Sequence, residues 1–203
     1  STNEEVIVGR LEKMSKSKKN VVDPKVIIDR CGADTARLCL LSDSPPERDL
    51  EWSDAGVEGC FKYLARLHKA VVSFRDNGSK EEHGKAIRVI HQAIHNVTED
   101  LKKFHFNRAV ARIREFTNYL FDESLPSGVL KEGLEAALKL LNPIVPHVTE
   151  ELWQILGHKE ALVDSAWPVA NPEYLVNDVV VVAVQTNGKM RGTIEVPANS
   201  NQE

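Results

Sequence analysis

Residues 84–104 read GKAIRVIHQAIHNVTEDLKKF. Their apolar members Ile87, Ile90, Ile94, Val97, Leu101 and Phe104 advance in steps of three and four. That spacing lines them up along one side of an α-helix and predicts a helix-bundle seam. The flanking sequence repeats the pattern. Upstream, Val57, Cys60, Phe61, Leu64, Leu67, Val71 and Phe74 share one helical face, Lys62, Arg66 and Lys69 line the other, and Asp76-Asn77-Gly78-Ser79 closes the helix. Downstream, a helix from about Asn107 to Phe121 turns Phe106, Val110, Ile113, Thr117 and Leu120 inward and Arg108, Arg112 and Tyr119 outward. Another, near Gly128 to Leu141, packs Leu130, Leu134, Ala137, Leu138 and Leu141. Pro143 and Pro146 interrupt the run. Pro146-His147 opens a short helix to Leu156, which Gly157 caps. The expected fold is mainly α, with a helical bundle over about residues 51–166.

Outside the bundle the chain changes character. Glu5 to Val8 reads as a strand leading into a basic loop: six Lys/Arg lie between Arg10 and Lys25, against the acids Glu12 and Asp23. Asp23-Pro24 suits a helix start, because Asp can cap and Pro fits the first turn. Gly32 ends that helix, and a second runs from Ala33 to about Leu41, before Ser44-Pro45-Pro46. Residues 1–50 are therefore expected to form a small mixed α/β element. After Trp167, the residues Pro168, Asn171 and Pro172 mark a linker. Val179 to Val184 reads as a strand, Asn187-Gly188 as a two-residue hairpin turn, and a return strand reaches Val196. Simple alternation would put Val179, Val181, Ala183 and Gln185 on one face with Met190, Ile194 and Val196. Both faces of the first strand are apolar, yet a lone hairpin is marginal in water. Residues 167–203 are expected to be a linker and an incomplete β unit.

Composition bounds the chemistry. The 203 residues are 42% hydrophobic and 28% charged, enough for a core. No run approaches the ~18 apolar residues of a membrane span, so no membrane partner is expected. No leader of the secretory kind precedes the first helix. The chain opens at Ser1 without a methionine, which suggests an excised piece of a longer protein. Cys31, Cys39 and Cys60 are widely spaced, with no C-x-x-C, and reduced thiols fit a cytoplasmic protein. His91 and His95 stand four apart with no third ligand at metal spacing, so no bound metal is expected. His68 and His147 read as packing or capping residues, and Trp153 as core rather than a platform for a base. With a net charge of -4, any nucleic-acid contact must be local. Lys102, Lys103, Arg108 and Arg112 form the best phosphate-contact patch, beside the bland alternative of a solvated helix face. Lys189 and Arg191 of the hairpin are further candidates, and the Lys62, Arg66, Lys69 stripe is a weaker one.

Lys13-Met14-Ser15-Lys16-Ser17 is the segment that carries chemistry. A glycine-rich loop would hold phosphates through backbone N–H groups. This one offers mobile ammonium charges and small hydroxyls. When an adenylate forms, negative charge moves onto the departing pyrophosphate. Cations that meet it late stabilise the transition state more than the ground state. Alone, such a pentamer could equally be a solvated basic loop.

The text around the loop adds a resemblance. Lys13 to Ser17 followed by Lys18-x-Asn20-x-Val22-x-Pro24 resembles the second signature of class I aminoacyl-tRNA synthetases. Gly32 to Leu38 looks like the same family's next element. Ser44 to Asp54, Pro143 to Trp153 and Gln185 to Gly192 resemble the bacterial-type leucyl enzymes in particular, so the likeness covers nearly the whole chain in order. The Pro143 to Trp153 element is shared with valyl and isoleucyl relatives, and the hairpin text tips the balance to leucine. Cys31, where the family usually places an aromatic, is a departure that reads as packing variation.

This resemblance implies a leucine–tRNA ligase. It would join leucine and ATP, with Mg2+, into leucyl-adenylate and move the leucyl group to the 2′-hydroxyl of the terminal adenosine of tRNA(Leu). It implies that Lys16 contacts ATP and that Lys13, Met14, Ser15 and Ser17 support it. Lys18, Lys19 and Lys25 read as solvated surface charge or as neighbours of a tRNA backbone, not as catalytic groups. The first signature, the leucine pocket and the editing domain would lie upstream, so the chain alone should be inactive. The bundle would be of the anticodon-binding type, docking tRNA without reading the anticodon, in a monomer. A stand-alone helical RNA-binding module is the alternative class, and it would have no need of the lysine loop. The zinc region of isoleucyl enzymes and the coiled coil of valyl ones are not seen.

Overall fold

The structure, a computed structural model, describes residues 12–79, 81, 83–122, 124–176, 179–186 and 189–197. The strand expected at Glu5 to Val8 and the Asn187-Gly188 turn lie outside these. Helix α1, Pro24–Cys31, starts where an Asp23 carboxylate oxygen accepts the Lys25 N–H at 2.9 Å, with Pro24 in the first turn. Gly32, at φ +83°, ends α1 and begins α2, Ala33–Asp43. A side chain at that φ would be strained, which is the reason for glycine there. Helix α3, Asp54–Ser73, opens where Ser53 Oγ accepts the Gly56 N–H. Then follow α4, Gly84–Lys102, α5, Phe106–Asp122, α6, Ser127–Leu141, and α7, Pro146–Ile155.

One core joins them. Leu38 of α2, Leu67 of α3, Ile90 of α4, Ile113 of α5, Leu138 of α6 and Leu152 of α7 all belong to it, each fully buried. Burying such a side chain is worth about 1.5–3 kcal/mol, so the apolar stripes decide the packing. Leu38 also packs α2 against the bundle.

The bundle departs from simple periodicity at its margins. The seam of α4 is buried from Ile90 to Val97, but Phe104 is 66% exposed. Helix α4 has ended by then: Lys103 caps it, and Phe104 takes φ +57° to turn the chain into α5. In α3 the buried line is Val57, Cys60, Leu64, Leu67 and Val71, and Phe61, on its shoulder, is 45% exposed. Tyr119 and Arg112, expected to face out, are both half-buried.

The chain after α7 folds back on the bundle. Glu150 accepts the N–H groups of Leu162 and Val163, each at 2.8 Å. Trp167 Nε1 donates to Thr98 Oγ1 at 2.9 Å, and Tyr174 stacks on His91, whose Nδ1 accepts the Asn171 N–H. His91 is thus a packing residue of this return segment.

Strands β1, Val179–Thr186, and β2, Lys189–Pro197, pair antiparallel as a two-stranded sheet among the described residues. Gln185 stands opposite Met190 as alternation requires, but Val184 stands opposite Gly192. Arg191 is the extra residue of a bulge. The bulge shifts the rest of β2 by one position, so Ile194 faces Val182 and Val196 faces Val180. The expectation that they would join the Val179 and Val181 set is corrected by this insertion.

Candidate functional site

The lysine loop is a tight turn held from its base. Asn20 Oδ1 accepts the Ser15 N–H at 2.8 Å, and Asn20 Nδ2 reaches the Lys13 carbonyl at 3.4 Å. The Lys18 N–H donates to the Ser15 carbonyl and the Lys19 N–H to that of Lys16, each at 3.2 Å. Lys19 takes φ +54° as the chain leaves the turn. The Ser15 and Ser17 hydroxyls lie 3.2 Å apart. Lys18 pairs with Glu12 at 3.1 Å, whereas neither Lys13 nor Lys16 has an ion-pair partner among the described residues. Both ammonium groups are exposed, and Met14 is partly so. The loop therefore presents two cations, neither paired by a described residue, on a hydrogen-bonded turn. Behind it lies a cleft of about 960 Å³, lined by Lys13 and Met14 of the loop, Pro24 and Ile27 of α1, Ala36 and Leu40 of α2, and Trp52.

Helix α2 carries side chains that reach far along the sequence. Buried Asp34 accepts the Val148 N–H at 2.7 Å and lies 2.8 Å from His147 Nδ1. Arg37 Nε donates to the Ile144 carbonyl at 2.7 Å, and its Nη2 to the Pro143 carbonyl at 3.0 Å. The carboxylate thus meets the N-terminus of α7 and the guanidinium meets the carbonyls after α6, each a favourable charge for that helix end. The sequence placed both residues only inside the Gly32 to Leu38 stretch, with no role for either. No local signal marked them, because the apolar residues of α2 are spread around the helix rather than gathered on one face.

The cationic patch expected to meet phosphate is gathered around a buried acid that sequence reasoning missed. Asp100 is 4% exposed. Its carboxylate accepts from Arg112 Nε at 2.6 Å and lies 3.4 Å from Arg108 and 3.9 Å from His105. Arg112 is therefore committed to the fold, while Arg108 keeps about half its side chain in solvent. Lys102 pairs with Glu99 at 2.8 Å, which holds that carboxyl below its usual range, and Lys103 is exposed. In the hairpin Arg191 is exposed at the bulge, and the backbone of Lys189 opens β2 opposite Thr186. A second cleft, of about 530 Å³, lies between α3, α5 and α6 and is lined by Arg66, Lys69, Arg75, Phe74 and Phe121. There Arg66 lies over the Phe121 ring at 5.0 Å. Trp153 is core, stacked on His158 at 3.6 Å. Among the described residues no group of His, Cys, Asp or Glu could hold a metal ion, and no helix is long and apolar enough to cross a membrane.

Comparison with known proteins shows the family. Residues 84–203 match the anticodon-binding domain of tRNA ligase, and residues 6–53 match tRNA synthetases class I (I, L, M and V). The leucine–tRNA ligase of Paramagnetospirillum magneticum is 53% identical over 97% of this chain and 24% of its own length. That of Rhodospirillum rubrum is 44% identical over 98% of this chain and 25% of its own. That of Rickettsia peacockii is 42% identical over all of this chain and 25% of its own. The crystal structure of the ternary complex of Agrobacterium radiobacter K84 agnB2 LeuRS, tRNA and LeuAMS superposes with a TM-score of 0.77 at 32% identity, covering 94% of this chain and 26% of that one. The chain spans about a quarter of the length of the relatives it matches. It belongs to the anticodon-binding-domain family of tRNA ligases, and the relatives it matches along nearly its whole length are leucine–tRNA ligases.

Proposed function

We propose that this chain works as part of a leucine–tRNA ligase, where it supplies the loop that handles ATP and a helical surface that docks tRNA(Leu). The observation that carries the reading is the match to leucine–tRNA ligases over 97% or more of the chain. The two loop cations, neither paired by a described residue, support it chemically. In the first step the leucine carboxylate attacks the α-phosphorus of ATP, and pyrophosphate leaves with the bridging electrons. Lys16, with Lys13 beside it, meets the charge that builds on that pyrophosphate. Met14 and the Ser15 and Ser17 hydroxyls shape the same contact. Magnesium accompanies ATP as part of the substrate. In the second step the 2′-hydroxyl of the terminal adenosine attacks the leucyl carbonyl and AMP leaves.

In this reading residues 1–50 hold the loop, 51–166 form the tRNA-docking bundle, and 167–203 are a linker and part of a β domain. Arg108, Lys102, Lys103, Lys189 and Arg191 face the RNA backbone without reading the anticodon. The enzyme is a cytoplasmic monomer, and this chain alone is inactive.

The test is Lys16→Ala in a full-length ligase carrying this segment, such as a chimera with the Paramagnetospirillum magneticum relative. Adenylate formation should slow by roughly 10²–10³, the worth of a charge contact made mainly in the transition state, with leucine binding little changed. Unchanged single-turnover activation would reduce Lys16 to surface charge.

A further inference from the structure

Helix α2 has two working faces. Asp34, Arg37 and Leu38 hold it to the bundle: Leu38 sits in the shared core, Arg37 grips the chain between α6 and α7, and Asp34 grips the first turn of α7. Ala36 and Leu40 lie on the opposite side and line the cleft together with Lys13 and Met14 of the loop. One short helix therefore borders the cleft behind the lysine loop on one side and is fastened to the helices assigned to tRNA on the other. The grip is directional. A buried carboxylate fixed by a helix N-terminal N–H, and a guanidinium fixed by two carbonyls, together resist both sliding and rotation of α2.

We propose that Asp34 and Arg37 are positioning residues that set the register between the ATP loop and the tRNA-docking bundle. The proposal rests on the ligase reading above. Both act through the backbone around residues 143–148 and touch no substrate. Loosening the grip leaves the loop able to meet ATP, because adenylate formation needs no tRNA. It misplaces the tRNA end relative to the adenylate, because the bundle that carries the RNA can then shift against the loop. A displacement of an ångström at the reacting atoms is enough to cost a large rate factor.

The experiment uses the same full-length chimera with Arg37→Ala, Arg37→Lys and Asp34→Asn. The expected result for Arg37→Ala is leucine-dependent pyrophosphate exchange within about twofold of the parent and a kcat for leucyl transfer down by about tenfold or more, at unchanged KM for tRNA. Arg37→Lys, which can still reach one carbonyl, should recover part of the loss. Asp34→Asn keeps the shape but loses the charge, and should show the same split if Arg37→Ala fails to fold. Equal losses in exchange and transfer, or full activity in both, would overturn the positioning role and leave the ligase reading standing. A parent chimera with no leucine-dependent exchange would overturn both together.

Discussion

Asp100 illustrates how one side chain can change the meaning of its neighbours. Taken as a list of charges, Lys102, Lys103, Arg108 and Arg112 are a basic strip. In the structure the buried Asp100 carboxylate draws in Arg112 at 2.6 Å and Arg108 at 3.4 Å, and its backbone carbonyl accepts the His105 and Lys103 N–H groups. It organises the turn from α4 into α5. Asp100→Asn, which keeps the volume, should destabilise the protein by about 1.5–3 kcal/mol, because two arginines lose a charge-assisted partner. Urea unfolding would read this as a lower midpoint at unchanged m. A midpoint that does not move would put the pairs in the class of exposed ion pairs. The seam around Asp100 was legible, since Val97 and Leu101 keep the helical spacing. The role of Asp100 was not. Its partners lie eight and twelve residues on, and the positive φ of Phe104 helps turn the chain that brings them together. Asp34 and Arg37 were hidden for the same reason at longer range, since their partners lie more than a hundred residues away. The Lys13 to Ser17 turn could be picked out because its residues are adjacent in the sequence and its hydrogen bonds are local.

At the scale of elements, periodicity located the helices because apolar burial drives both the pattern and the packing. It said less about how tightly neighbours meet. Gly133 lies in the middle of α6, where alanine would ordinarily favour the helix by about 1 kcal/mol. A Cβ there would stand 2.6 Å from Leu120 Cδ2 and 3.1 Å from Cδ1. Leu120 is 2% exposed and belongs to the core, so its methyls have little room to retreat. Overpacking of this kind costs about 1–3 kcal/mol and exceeds the helix gain. Gly133→Ala should therefore lower stability by roughly 1 kcal/mol, and a rise in melting temperature would show that Leu120 has a second rotamer to use. In the hairpin, alternation found the strands but not the bulge, because an inserted residue leaves no mark on a run of valines. A two-stranded sheet has little to protect it. The β1 and β2 amides should exchange hydrogen much faster than those of Ile90 and Ile94, and equal protection in dilute solution would mean that the hairpin is a self-sufficient part of the fold.

For the molecule as a whole, charge sets how it can meet RNA. The chain carries 26 Lys and Arg against 30 Asp and Glu, a net charge of -4. Long-range attraction to a polyanion is therefore absent, and any binding must come from local strips that face phosphates. Of the strip after α4, Arg112 is engaged with Asp100, while Lys103 and half of Arg108 remain in solvent. Lys102 is held by an exposed pair with Glu99, which RNA can displace at little cost. The isolated chain should accordingly bind tRNA weakly, with a dissociation constant of roughly 10⁻⁴–10⁻⁶ M near physiological salt, and the affinity should fall steeply as salt rises. Lys102→Glu combined with Lys103→Glu should weaken binding and lower the salt slope by about one for each phosphate that is no longer neutralised. Reversing Arg112 would be a poor probe, since it would bury two acids against each other and unfold the turn before it reported on RNA. Fluorescence anisotropy of labelled tRNA between roughly 50 and 200 mM salt gives both quantities. Tight binding that ignores salt, or a double variant with the parent's slope, would mean that RNA docks elsewhere. The cleft of Arg66, Lys69 and Arg75 would then be the next surface to reverse.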